Sequence, residues 1–99
     1  MNISKINPTS FKGYLTISDK NDSHCFNTET ISRIAEIKDM KETRIYGKEF
    51  DGRSDYYYLA IPYKVFSPNK VMAAYSAACQ TRNGEIMLVN KKGLCETRV

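Results

Sequence analysis

The sequence predicts an α+β domain: an antiparallel β-meander of four to five strands packed by one helix in the C-terminal half, over about residues 68–80. Three observations carry this expectation. Short runs of alternating apolar and polar residues recur between turn clusters through the first two thirds of the chain. Asp51-Gly52 separates two runs rich in Tyr, Ile and Arg, which is a hairpin signature. Ser67-Pro68 then opens an alanine-rich run with helical spacing.

The size and composition suit one core. The chain has 99 residues, of which 41% are hydrophobic and 26% charged, with only 3 Pro and 5 Gly, so it reads as globular rather than disordered. The 7 Tyr and 4 Phe, with no Trp, lean the composition toward sheet. The net charge of +4 comes from 15 Lys and Arg against 11 Asp and Glu, and it is dispersed. That balance fits solubility and is sparser than the basic stripe of a dedicated nucleic-acid binder.

No apolar run approaches the ~18–20 residues that span a bilayer. The opening Met1-Asn2-Ile3-Ser4-Lys5-Ile6-Asn7-Pro8 lacks the apolar core and small-residue cleavage site of a secretory signal. The 3 cysteines are an odd number and do not complete a disulfide framework, which suits a reducing compartment. The expectation is a cytoplasmic protein with no membrane partner.

In chain order, residues 1–9 are polar, broken by Pro8, and read as a flexible N-terminal arm; residues 10–89 form a single α+β domain; residues 90–99 are a short basic tail or last strand. Leu15 and Ile17 alternate with Tyr14 and Thr16, as in a strand. Asp19-Lys20-Asn21-Asp22 is a turn cluster, and a second strand around Ser23 to Phe26 should pair back antiparallel. The next stretch supports two readings. Ile31, Ile34, Ile37 and Met40 recur every three residues, which permits a helix capped at Asn27 or Thr28. A tight turn over Asn27-Thr28-Glu29-Thr30, followed by a strand from about Ser32 to Lys38, fits the same residues and suits isoleucine better.

Thr43 to Phe50 and Arg53 to Ile61 form the clearest hairpin, with Asp51-Gly52 as a two-residue type I′ turn. That turn sets Phe50 opposite Arg53, Lys48 opposite Asp55, Tyr46 opposite Tyr57 and Arg44 opposite Leu59. The other face receives Glu49 with Ser54, Gly47 with Tyr56 and Ile45 with Tyr58. A one-residue slip would reverse every side chain. Pro62 ends the strand, because it cannot donate to the ladder. Ser67 caps the helix and Pro68 takes its first position, where a missing N–H costs nothing. Val71, Tyr75, Ala78 and Cys79, with Met72 alongside, form the apolar stripe, and Gly84 after Asn83 is the expected stop. Glu85 to Val89 alternates weakly as a further strand; after the turn-like Asn90-Lys91-Lys92-Gly93, the run Leu94 to Val99 closes a second hairpin with it or trails free.

Candidate chemistry is sparse. His24 and Cys25 are adjacent, and neighbouring strand residues point to opposite faces, so they make a poor nucleophile–base pair. Cys25, Cys79 and Cys95 have none of the close pairing of a zinc site; Cys79 reads as core. No Gly-rich phosphate loop, G-x-S-x-G or H-E-x-x-H motif occurs. The acids Glu29, Glu36, Asp39 and Glu42 fall mostly in turns or on solvated faces. No cofactor and no enzymatic activity is expected.

The most unusual local feature is Tyr56-Tyr57-Tyr58. In the predicted register Tyr57 shares a face with Tyr46, while Tyr56 and Tyr58 share the other. One face must serve the core. The other is a candidate interaction surface made from Tyr46, Tyr56, Tyr57, Tyr58, Arg44, Lys48 and Arg53. The plain alternative is ordinary sheet packing and cross-strand pairing.

The run from Cys25 through Asn27-Thr28-Glu29-Thr30-Ile31 to Ile34 and Ile37, then Thr43-Arg44-Ile45-Tyr46, then a late helix with Val71 and Tyr75, resembles the small bacterial flagellar proteins of the FlbD type. The likeness covers roughly residues 23–80 and is one of hydrophobic spacing. It implies a three- or four-stranded meander followed by a helix, favours the strand reading of residues 27–40, and carries over no catalytic residue. The N-terminal strand, the tyrosine triplet, the long Pro62–Ser67 connection and the tail depart from the pattern. The functional expectation is a non-enzymatic protein-interaction or regulatory module, acting on a protein partner or by self-association as a homodimer. The alternative is a weak single-stranded nucleic-acid binder using a basic and aromatic sheet face.

Overall fold

The computed structural model describes residues 13–49, 57–91 and 96–98. Four strands, β1 (Tyr14–Ser18), β2 (Ser23–Ile37), β3 (Glu42–Glu49) and β4 (Tyr57–Pro62), precede the helix α1 (Pro68–Gln80), and β5 (Glu85–Val89) and β6 (Glu96–Arg98) follow it. Strands β1 to β4 form an antiparallel meander, and α1 packs on one face of the sheet. The fold class is therefore the predicted one: a meander packed by one helix of the C-terminal half.

The margins of the sheet differ from expectation. The six described strands join one sheet in the order β5-β1-β2-β3-β4-β6. β5 runs parallel to β1, and β6 lies antiparallel to β4 at the opposite edge, so the two do not form a hairpin with each other. The reason is the helix. It crosses the sheet face and returns the chain to the β1 edge, where the Gly84 carbonyl accepts from the Tyr14 N–H at 2.9 Å. β5 thus runs opposite to β4, the strand that precedes the helix, and in the same sense as β1.

Strands β1 and β2 pair in the expected antiparallel sense, with Leu15 opposite Phe26 and Ile17 opposite His24. The Asp19 carboxylate organises the turn between them, accepting from the N–H groups of Asn21 and Asp22, each at 2.8 Å. β2 then continues as one irregular strand to Ile37, through most of the segment for which helix and turn-plus-strand competed, and a 3-10 turn over Lys38–Met40 ends that segment. The Asn27-led turn survives inside it as a bulge: Asn27 Oδ1 accepts from Glu29 N–H at 2.9 Å, and Thr30 Oγ1 donates to the Asn27 carbonyl at 2.8 Å. A second irregularity follows, because Ile31 pairs with Gly47 and Arg33 with Tyr46, two steps on β2 against one on β3. Ile31 and Ile34 thus fall opposite Gly47 and Ile45 on the same face, despite their odd spacing. The three-residue recurrence of isoleucine is the signature of a bulged strand here, not of a helix.

The β3–β4 register overturns the predicted pairing. Tyr46 pairs with Tyr58, Ile45 with Leu59 and Arg44 with Ala60, one residue out of step with a two-residue Asp51-Gly52 turn. The connection itself, with Phe50, Arg53, Ser54, Asp55 and Tyr56, lies outside the described residues. The observed register is the one that buries Ile45, Leu59 and Ile61 together on the helix side, each fully sequestered from solvent. Core burial decides register where a turn and a face compete.

The helix begins at the predicted residue and covers the predicted span. Ser67 is extended, and its hydroxyl accepts from the Lys70 N–H at 3.2 Å, with Pro68 at the first position. Its end is set earlier than Gly84: Thr81 leaves helical geometry, and its N–H and hydroxyl both donate to the Ala78 carbonyl, at 3.3 and 3.1 Å. The buried stripe is Val71, Ala74 and Ala78, rotated from the expected one. Tyr75 and Cys79 are only half-buried flanks, and Met72 is 46% exposed. The small Ala74 and Ala78 let the backbone approach the sheet, so the larger side chains move to the rim. Between β4 and α1, Val65 and Phe66 fold into the core, which makes the long connection a plug beneath the helix rather than a surface loop.

Candidate interaction surface

The sheet face away from α1 carries the site. Alternation along β3 sends Ile45 to the core and Arg44 and Tyr46 to this far face. The observed register brings Tyr58 directly beside Tyr46, with ring centroids 5.1 Å apart and planes tilted by 44°. The bulge in β2 sets Arg33 opposite Tyr46, and the Arg33 guanidinium carbon lies over the Tyr46 ring at 4.8 Å. The Arg44 guanidinium lies over the Tyr58 ring at 4.5 Å. The result is a ladder, Arg33–Tyr46–Tyr58–Arg44, in which each ring carries a cation.

Arg44 is the most engaged member. Its Nε donates to the Glu42 carboxylate at 2.6 Å, its Nη1 to the Tyr46 hydroxyl at 3.4 Å and its Nη2 to the Met40 sulfur at 3.0 Å. The Tyr46 and Glu42 hydrogen bonds hold its proton still more tightly than a free guanidinium does. Glu42 is nearly buried, its side chain 5% exposed. Arg33, by contrast, is exposed and has no carboxylate partner among the described residues.

Met40 joins this face to a cleft of about 340 Å³ lined by Met40, Lys41, Pro62, Tyr63 and Lys64. Its floor is held by Lys41, which adopts a left-handed φ of 53° after the 3-10 turn Lys38–Met40, and by the Tyr63 N–H donating to the Lys41 carbonyl at 2.9 Å. The Tyr63 hydroxyl donates to Glu36 at 2.7 Å. Desolvation, followed by that hydrogen bond, pushes the phenol up to about 12.

Of the predicted surface residues, the structure brings Arg44, Tyr46 and Tyr58 together. It corrects the face assignment, since Tyr58 and not Tyr57 accompanies Tyr46; Tyr57 pairs with Gly47 in the ladder. Lys48 belongs to β3, and its side chain, like that of Tyr57 and all of Arg53 and Tyr56, lies outside what is described. Arg33, Met40 and Glu42 escaped the sequence reading. The Asn-led turn was the available signal for Arg33, because an extra residue in β2 changes which side chains reach the far face.

The other sequence candidates separate as alternation demands. His24 is buried, with Nε2 3.8 Å from an Asp22 carboxylate oxygen, and Cys25, next along the strand, is half-buried opposite Thr16. Tyr75 lies one turn from Cys79; a hydrogen bond with that thiol, together with burial, raises its phenol. Among the described residues no group of three His, Cys, Asp or Glu side chains gathers to hold a metal, and no helix is long and apolar enough to cross a membrane.

Comparison with protein-family models, curated proteins and solved structures finds no match to this chain.

Proposed function

We propose that this chain is a non-enzymatic cytoplasmic interaction module that engages an acidic segment of a protein partner through the Arg33–Tyr46–Tyr58–Arg44 face. The observation that carries the reading is Arg33: a guanidinium held over a tyrosine ring, exposed, and unpaired by any described carboxylate. A guanidinium presents a planar fork of donors that matches a carboxylate. The ring beneath it limits the freedom it loses on binding. Among the described residues of the face, the charged Arg44 and Glu42 are paired with each other, which supports binding rather than catalysis.

The basic and aromatic character of the same face also bears on single-stranded nucleic acid. Base stacking needs an open ring face. A guanidinium already lies over each ring, at 4.8 Å for Tyr46 and 4.5 Å for Tyr58, so the face favours carboxylates over bases.

The test is a pair of NMR titrations of the full chain at low salt, one with a hexaglutamate peptide and one with a single-stranded oligodeoxythymidylate. Salt-sensitive amide shifts at Arg33, Tyr46 and Tyr58 with the peptide, weakened roughly tenfold by Arg33→Ala, are expected. Shifts with the oligonucleotide alone, or with neither, would overturn the reading.

A further inference from the structure

The two edges of the sheet are unlike. β6 is three residues long and carries Glu96 and Arg98, the short and charged form of edge that resists pairing. β5, Glu-Ile-Met-Leu-Val, has five residues, one charge and no proline. It ends the sheet on the other side, bonded among the described strands to β1 alone.

The phase of that bonding is defined at both ends. The Tyr14 N–H donates to Gly84 O and the Asn90 N–H to Ser18 O, so in the parallel ladder the even-numbered residues of β5 turn their backbone groups toward β1. Glu85, Met87 and Val89 therefore turn their N–H and C=O groups outward, where no described strand meets them. Two of their side chains are also among the large exposed hydrophobics, with Met87 at 52% and Val89 at 56%. An edge with both unpaired backbone groups and exposed apolar side chains is a template for another strand.

We propose that β5 pairs antiparallel with β5 of a second copy of this chain about a two-fold axis at Met87, joining two sheets into one. The strand is self-complementary in that register. Met87 meets Met87 of the second copy, and Glu85, the strand's only charge, meets Val89, so no like charges oppose each other. Ile86 falls opposite Leu88, and both already pack against the core beneath α1. The outward groups of Glu85, Met87 and Val89 form hydrogen-bonded pairs across the axis, about six bonds in all. The reading is independent of the Arg33–Tyr46–Tyr58–Arg44 cluster, which lies on β2, β3 and β4.

The register supplies a discriminating experiment. Met87→Lys and Val89→Lys each replace one exposed apolar side chain with a cation. Across the axis, Met87→Lys opposes two introduced lysines, whereas Val89→Lys sets each lysine against Glu85 of the other copy. Sedimentation equilibrium of the full chain should show a species of twice the 11.3 kDa chain mass. Met87→Lys should weaken the dimer at least about tenfold, while Val89→Lys and Arg33→Ala leave it unchanged or tighter. Hydrogen exchange at the Met87 and Val89 amides should slow as protein concentration rises. A wild-type chain that stays monomeric at about 200 μM, or two lysine variants with the same effect, would overturn the proposal.

Discussion

Gly47 and Ile31 meet across β3 and β2 so closely that a Cβ on Gly47 would lie 3.0 Å from the Ile31 Cα and 2.6 Å from the Thr30 carbonyl oxygen. The bulge in β2 is pressed against the one β3 position that carries no side chain. This contact sets which β2 side chains reach each face, and so it positions Arg33 over Tyr46.

Gly47→Ala should therefore be costly. Alanine in a strand ordinarily gains about 0.5–1 kcal/mol over glycine. Here the added methyl meets backbone atoms, which do not swing aside, so a net loss of about 2–3 kcal/mol is expected. Urea denaturation followed by circular dichroism measures it. An unchanged midpoint would mean that the two strands are further apart than described.

Thr43 offers the opposite outcome. Its hydroxyl is buried on the core side of β3 and is the one buried side-chain polar atom without a hydrogen-bond partner among the described residues. Valine keeps the β-branched shape and removes the stranded oxygen. Thr43→Val should stabilise the domain by about 1 kcal/mol, a rise of about 4–8 °C in Tm for a domain of this size. Differential scanning calorimetry reads this directly.

The helix start depends on one hydroxyl. Ser67 Oγ satisfies the Lys70 N–H, and no acidic residue in the first turn supplements it. Ser67→Ala should cost about 1 kcal/mol, and Ser67→Asp should restore the loss while adding a favourable interaction with the helix dipole. Thermal melts of the two variants beside the parent distinguish capping from mere loss of a polar side chain.

Tyr63 makes stability depend on pH at the alkaline end. Its phenol is raised from 10.0 to about 12 in the fold, by desolvation first and by the hydrogen bond to Glu36 second. The folded state thus holds this proton more tightly than the unfolded state. The stabilisation is complete below pH 10.0 and is lost as pH rises through about 12. A phenolate absorbance titration should lose its step near pH 12 in Tyr63→Phe. Glu36→Gln should move that step downward, because a neutral amide accepts less strongly. A step that remains in Tyr63→Phe would assign it to another tyrosine.

The sequence by itself determined the parts of this protein whose causes lie within a few residues. Ser67 and Pro68 specify a helix start because cap and donor are three positions apart. Asp19 specifies its turn through its own neighbours. Alternation separates His24 from Cys25 and Arg44 from Ile45. The α+β class follows from those local signals summed along the chain. The candidate surface was half legible: Arg44, Tyr46 and Tyr58 were named, and their mutual arrangement was not.

Tertiary structure alone decided the rest, because the deciding contacts join distant segments. The β3–β4 register followed the joint burial of Ile45, Leu59 and Ile61 rather than the Asp51-Gly52 signal. Residues 27–37 became a bulged strand because Gly47 leaves room for Thr30 and Ile31. β5 joined β1, and not β6, because α1 crosses the sheet before returning the chain to that edge. A turn signal biases a register by its own local energy, whereas a mispaired strand would expose every core side chain it carries. The larger, non-local term wins, and it is the term that no short window of sequence contains.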